Sequence, residues 1–134
     1  MNEKEKISYL KALVYIATID EDLGDDEKQY LVNISNMYGL TEEQSEDLIK
    51  AVIDRTENLE EILSEITDRK TKLLLIYELI ALCYADGNYS EIEKSGVINV
   101  SKILKIEEGK IKVIEDLLNE SVKLQEKVNI ALER

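Results

Sequence analysis

Shifting the chain against itself by 66 residues superimposes two long stretches of similar pattern, and this constrains the fold more than any other feature of the sequence. Leu13-Val14-Tyr15-Ile16-Ala17-Thr18-Ile19-Asp20 lies over Leu79-Ile80-Ala81-Leu82-Cys83-Tyr84-Ala85-Asp86. The match continues without a gap through Glu27-Lys28 over Glu93-Lys94, Asn33 over Asn99, Ser35 over Ser101, Leu40 over Ile106 and Glu42 over Glu108. Each half therefore reads as a helix, an acidic loop, a second helix and the entry to a third. Two such units are expected to share one core, with the two loops brought to one end of the bundle.

The elements follow from the apolar spacing. The chain has no Pro and five Gly among 134 residues, so little interrupts a helix, and apolar residues recur at the helical period almost throughout. Seven helices are predicted. The first places Ile7, Leu10, Val14 and Ala17 on one stripe; the second, entered through Gly24-Asp25-Asp26, carries Leu31, Ile34, Met37 and Tyr38 and closes at Gly39. Thr41-Glu42-Glu43-Gln44 is a capping box that opens a third helix with Leu48, Ile49, Val52 and Ile53. Asn58 opens a short fourth with Ile62, Leu63 and Ile66. The fifth, Asp68 to Ala85, is apolar on nearly every side after Leu73 and is expected at the centre. Ser90-Glu91-Ile92-Glu93 starts the sixth, with Val97, Val100 and Leu104 inward. Ile111, Ile114, Leu117 and Leu118 begin the last, which is expected to bend or break near Asn119-Glu120-Ser121. The expectation is one all-α domain over residues 1–134, a single compact bundle of about seven helices built from the two repeats.

Composition removes several function classes. There is no His, which excludes Ser-His and Cys-His relays and imidazole metal ligands, and the one Cys permits neither an internal disulfide nor a thiolate zinc site. No nucleophile elbow, phosphate-binding glycine loop or dinucleotide fingerprint occurs. With neither Trp nor Phe to wall a pocket around paired carboxylates, the chain reads as a non-enzyme. Cys83, aligned with Ala17, is expected to be a small buried residue. Gly96 overlies Tyr30, so a bulky side chain in one half fills space that the other half leaves for close helix approach. The seven Tyr are the sole aromatics, and most are expected at the core or its edge with the hydroxyl reaching water or a partner.

The formal charge of −12 is concentrated. Asp20 to Asp68 holds 16 acidic and three basic residues, whereas Lys102 to Arg134 holds seven of each. Such a field repels nucleic acid and anionic lipid and attracts cations or basic surfaces. The longest apolar stretch, Leu73 to Ala85, is 13 residues with Glu78 inside it, short of the about 20 that span a bilayer. The N-terminal region lacks a signal-peptide pattern, so a cytoplasmic location without membrane insertion is expected.

Both loops run from Asp at the end of an apolar helix to Glu seven residues later, in the first turn of the next helix. A carboxylate there meets the positive end of the helix dipole, while Asp20 and Asp86 sit where negative charge is disfavoured. Those two need a compensating partner, a loop amide or a cation. Asp20, Asp22, Glu27, Asp86, Asn88 and Glu93 are accordingly the candidate ligands of a divalent metal ion, the one cofactor the residues invite. Neither loop is an EF-hand: the sixth and twelfth positions would be Gly and Glu, and the chain has Asp25 and Leu31, or Glu91 and Val97. The alternative is that these carboxylates cap helices and hold tight loops.

The segment Leu82-Cys83-Tyr84-Ala85-Asp86-Gly87-Asn88-Tyr89-Ser90-Glu91-Ile92-Glu93 resembles the signature of the TerB-like tellurite-resistance family, which includes a helical region of a membrane-anchored DnaJ-type co-chaperone. That signature is an apolar helix ending in Ala-x-x-Asp-Gly or similar, a few polar residues, then Glu at the next helix start. The first half departs from it with Glu21 in place of Gly. The resemblance spans about Ile7 to Glu108. It implies an all-α fold with an acidic surface, a stress-response association at the inner face of bacterial membranes, a suspected involvement of metal ions, and no catalytic activity. Together these expectations describe an acidic interaction module that docks a basic or metal-bearing protein partner through Asp20–Glu27 and Asp86–Glu93, or alternatively a divalent-cation binding protein using the same loops. The oligomeric state is left open.

Overall fold

The computed structural model of the chain describes residues 2–18, 25–54, 58–85 and 90–133. Seven helices occur among them and no strand: α1 (Glu3–Ala17), α2 (Asp25–Met37), α3 (Glu42–Ile53), α4 (Leu59–Leu63), α5 (Arg69–Ala85), α6 (Glu91–Leu104) and α7 (Glu108–Leu132). The starts of α5, α6 and α7 each fall 66 residues after those of α1, α2 and α3.

The caps keep the same spacing. Asn2 Oδ1 accepts from the Glu5 amide at 2.8 Å, and its counterpart Asp68 accepts from the Thr71 amide at 3.1 Å. Each satisfies one of the free amides that any helix leaves at its start. At the other end of the second helix in each half, α2 and α6 close identically. Gly39 donates to Asn36 and Leu40 to Ser35, both at 3.0 Å; Lys105 donates to Lys102 at 3.1 Å and Ile106 to Ser101 at 2.8 Å. Both are Schellman closures, and each needs a left-handed residue at its corner. Gly39 has φ 92°, and Lys105 holds φ 61° despite its Cβ. The predicted boxes form at Thr41–Gln44 and at Ser90–Glu93, and Asn58 caps α4 through the Glu61 amide at 2.8 Å.

One core runs through both halves, holding Tyr9, Leu10, Leu13 and Ile16 of α1, Leu75, Ile76, Leu79 and Ile80 of α5, and Val97, Val100 and Leu104 of α6. Burying a side chain of this size contributes roughly 1.5–3 kcal/mol. Cys83 is buried, as expected of a packing residue. Tyr9 is fully buried and Tyr15, Tyr30, Tyr38 and Tyr84 lie at the core edge, while Tyr77 is exposed.

Three local expectations are corrected. The helix at the centre is α1, which packs on α2, α3, α4, α5 and α6, whereas the principal neighbours of α5 are α1, α6 and α7. α5 exposes Leu74 and Tyr77. Apolar content therefore did not rank the two; the number of neighbours depends on how the other helices dock. Met37, placed on the inner stripe of α2 by spacing, is 84% exposed, and Ile7, Ile53 and Leu117 are also outside. Each sits near an end or on the border of its stripe, where no facing helix covers it. Finally, α7 runs unbroken through Asn119-Glu120-Ser121. Those residues weaken a helix by tenths of a kcal/mol each, and without Gly or Pro nothing stops it.

Candidate functional site

The two acidic segments join α1 to α2 and α5 to α6. Asp20, Asp22, Asp86 and Asn88 lie outside the described residues, as does the side chain of Glu27, which belongs to the first turn of α2. Glu93 is the candidate ligand whose side chain is described. It is 5% exposed, and its Oε1 accepts from the Ser90 amide at 2.9 Å while the Glu93 amide donates to Ser90 Oγ at 3.1 Å. The capping box thus fixes a carboxylate at the head of α6, against the positive end of the helix. Among the described residues, no group of three or more His, Cys, Asp or Glu is arranged to hold a metal ion. Likewise no helix there is long and apolar enough to cross a membrane.

A different carboxyl stands out in the interior. Glu78 of α5 is half-buried, and its Oε2 is buried without a hydrogen-bond partner. The hydroxyl of fully buried Tyr9 is in the same condition. Tyr9 stacks obliquely on Tyr38, with ring centroids 5.7 Å apart and planes at 57°. Its hydroxyl lies near Glu78 and Tyr38, close enough to feel both without the geometry of a formed hydrogen bond. Burial holds the Glu78 carboxyl above the usual carboxylate range, and the nearness of Tyr9 offsets part of that rise. Burial also pushes the Tyr9, Tyr30 and Tyr38 hydroxyls upward, and the charge of Glu78 adds to all three shifts. The sequence signal for this cluster is a single Glu inside the 13-residue apolar run, where the other half has Ala12.

At the opposite charge extreme, Arg69 Nη2 lies 2.9 Å from Glu107 Oε2 and ties the start of α5 to the cap position of α7. The guanidinium holds the Glu107 carboxyl below its ordinary range, in an exposed and screened pair.

The model of the tellurite resistance protein TerB family matches residues 6–116, which includes both acidic segments and the first turns of α7. The chain belongs to the TerB family. A solved tellurite resistance protein from Nostoc punctiforme has the same fold as this TerB domain, with a TM-score of 0.74 over 100% of this chain and 84% of that one, at 22% identity. No curated protein matches the chain. The resemblance carried by Leu82 to Glu93 and the all-α expectation thus agree with what the whole chain matches.

Proposed function

We propose that this TerB domain is a non-enzymatic acidic docking module of the stress-response type, acting in the cytoplasm, in which segments 20–27 and 86–93 engage a basic or metal-bearing surface of a protein partner. The observation that supports this reading is the placement of charge. Sixteen of the 29 acidic residues fall between Asp20 and Asp68 against three basic ones, and the equivalent acidic residues Asp25 and Glu91 begin α2 and α6. Such a surface attracts a basic partner and orients it on approach. The absence of His from the sequence and the single buried thiol support a role without covalent or relay chemistry.

A second reading rests on Glu93. A buried carboxylate with one oxygen held by Ser90, preceded in the sequence by Asp86 and Asn88, suits a hard divalent cation, which takes several oxygen ligands. One experiment separates the two. Calorimetric titration with calcium, magnesium and manganese is run beside titration with a lysine-rich peptide, on the native protein and on Asp20→Asn/Asp86→Asn. Docking predicts silent metal titrations and peptide binding that the double variant weakens more than the control Glu60→Gln/Glu61→Gln does. A metal site predicts heat at micromolar cation that the double variant abolishes. Equal weakening by both variants would remove the loops from the docking reading.

A further inference from the structure

α7 is buried over its first three turns only. Ile111, Ile114 and Leu118 close the core against α5 and α6, and from Asn119 to Glu133 every residue is exposed. That stretch projects roughly 22 Å at 1.5 Å per residue. A lone helix of this length is marginal in water, since helices gain most of their stability from packing an apolar face. The face exists here: Leu117, Leu124 and Val128 are 54%, 63% and 40% exposed. Positions 117, 121, 124, 128 and 131 alternate steps of four and three, giving a seam of Leu, Ser, Leu, Val and Ala with the coiled-coil period.

Charge indicates what covers it. Residues 119–134 contain three acidic and three basic side chains, so the full surplus of −12 resides in the rest of the molecule. The projecting helix is a neutral surface on which two copies of a strongly acidic protein can meet without repulsion. We infer that α7 pairs with α7 of a second copy of this chain in an antiparallel two-helix seam. The orientation follows from Glu120 and Lys127, which flank the seam. In an antiparallel pair they lie opposite each other in both directions, whereas in a parallel pair they would face Gln125 and Leu132 and make no ion pair. Leu117 then lies across from Val128 of the second copy and Ser121 from Leu124, and the two acidic bodies stand at opposite ends of the seam. Ile130 stays outside this contact.

The test uses the full chain. Sedimentation and light scattering over a concentration series should show the mass rising from 15.4 kDa to twice that value. Leu124→Glu/Val128→Glu should be monomeric at every concentration and, at a dilution where the native protein is also monomeric, should share its melting transition, because neither residue touches the core. Lys127→Glu should raise the dissociation constant by about tenfold, and Glu120→Lys/Lys127→Glu should restore it. Under mild oxidation, a mixture of Ser121→Cys and Leu124→Cys proteins should cross-link, and neither alone should do so. A monomer at about 200 µM, a dimer that survives Leu124→Glu/Val128→Glu, or self-cross-linking of Ser121→Cys alone would each overturn the inference.

Discussion

The two halves of this molecule start three helices each at the same spacing and then fill them differently, and the short α4 of the first half has its counterpart positions inside the long α7 of the second. Asn2 and Asp68 cap equivalent starts, and Gly39 and Lys105 occupy equivalent left-handed corners. Yet Ala12 becomes Glu78, Tyr30 becomes Gly96, and Thr41, which caps α3, becomes Glu107, which pairs instead with Arg69. The second half thus keeps the cap of its first helix and the closure of its second, with different residues supplying them, and loses the side-chain cap at the start of its third. What is shared is backbone geometry, enforced by helix ends and by one core; side chains are free to diverge where a neighbour can compensate.

That equivalence can be broken at several depths. Leu13 and Leu79 are aligned and fully buried, one in each half, so Leu13→Ala and Leu79→Ala should each cost ~2–5 kcal/mol in chemical denaturation. A loss under 1 kcal/mol at either site would show that the halves do not share the core equally. Next, Gly96 is buried in α6 where the other half carries Tyr30. Gly96→Leu should cost ~1–3 kcal/mol by overpacking, and an unchanged melting temperature would refute the close helix approach.

The paired corners give a smaller effect with opposite signs. Lys105→Gly should stabilise by about 1 kcal/mol by removing the left-handed strain of a residue with a Cβ. Gly39→Ala should destabilise by a similar amount, since nothing lies within 4 Å of an added Cβ and the cost is conformational alone. Should both substitutions prove neutral, the corners would not govern how α2 and α6 end.

The smallest effect is read as a pH slope. Because the folded-state pKa of Glu78 is raised, the folded protein binds that proton more tightly than the unfolded chain does. Its contribution is fully present below the unfolded value of about 4.3 and is lost as the pH rises through the folded pKa. Glu78→Gln should therefore flatten that part of the stability profile and be relatively more stable above it, whereas Ala12→Gln in the other half should leave the slope intact. Parallel profiles for native and Glu78→Gln proteins would show that burial does not perturb this carboxyl.

Much of the architecture was legible because its causes are local. Thr41-Glu42-Glu43-Gln44 and Ser90-Glu91-Ile92-Glu93 are capping boxes whose partners lie three residues apart, so spacing alone locates them. Gly39 was readable for the same reason. Lys105 was not, because an L residue accepts a positive φ only when the bonds from Lys105 and Ile106 to α6 outweigh the strain. Of the candidate site, Glu93 was found with its structural role as a cap, and the repeat singled out Asp20 and Asp86. The Glu78–Tyr9–Tyr38 cluster was missed, since Tyr9 and Tyr38 are far from Glu78 in sequence and meet it only when α1, α2 and α5 pack.

By itself the sequence determined an all-helical chain, the 66-residue spacing of its elements, most of its helix ends and the uneven spread of its charge. Hydrogen bonds and apolar periods acting over three to seven residues suffice for these. The tertiary structure decided that α1 rather than α5 is the central helix, that Met37 and Leu117 remain outside, that α7 continues beyond the core, and that the half-buried carboxyl of Glu78 lies beside Tyr9. Those outcomes depend on which surfaces of distant helices cover one another, and no local pattern carries that information.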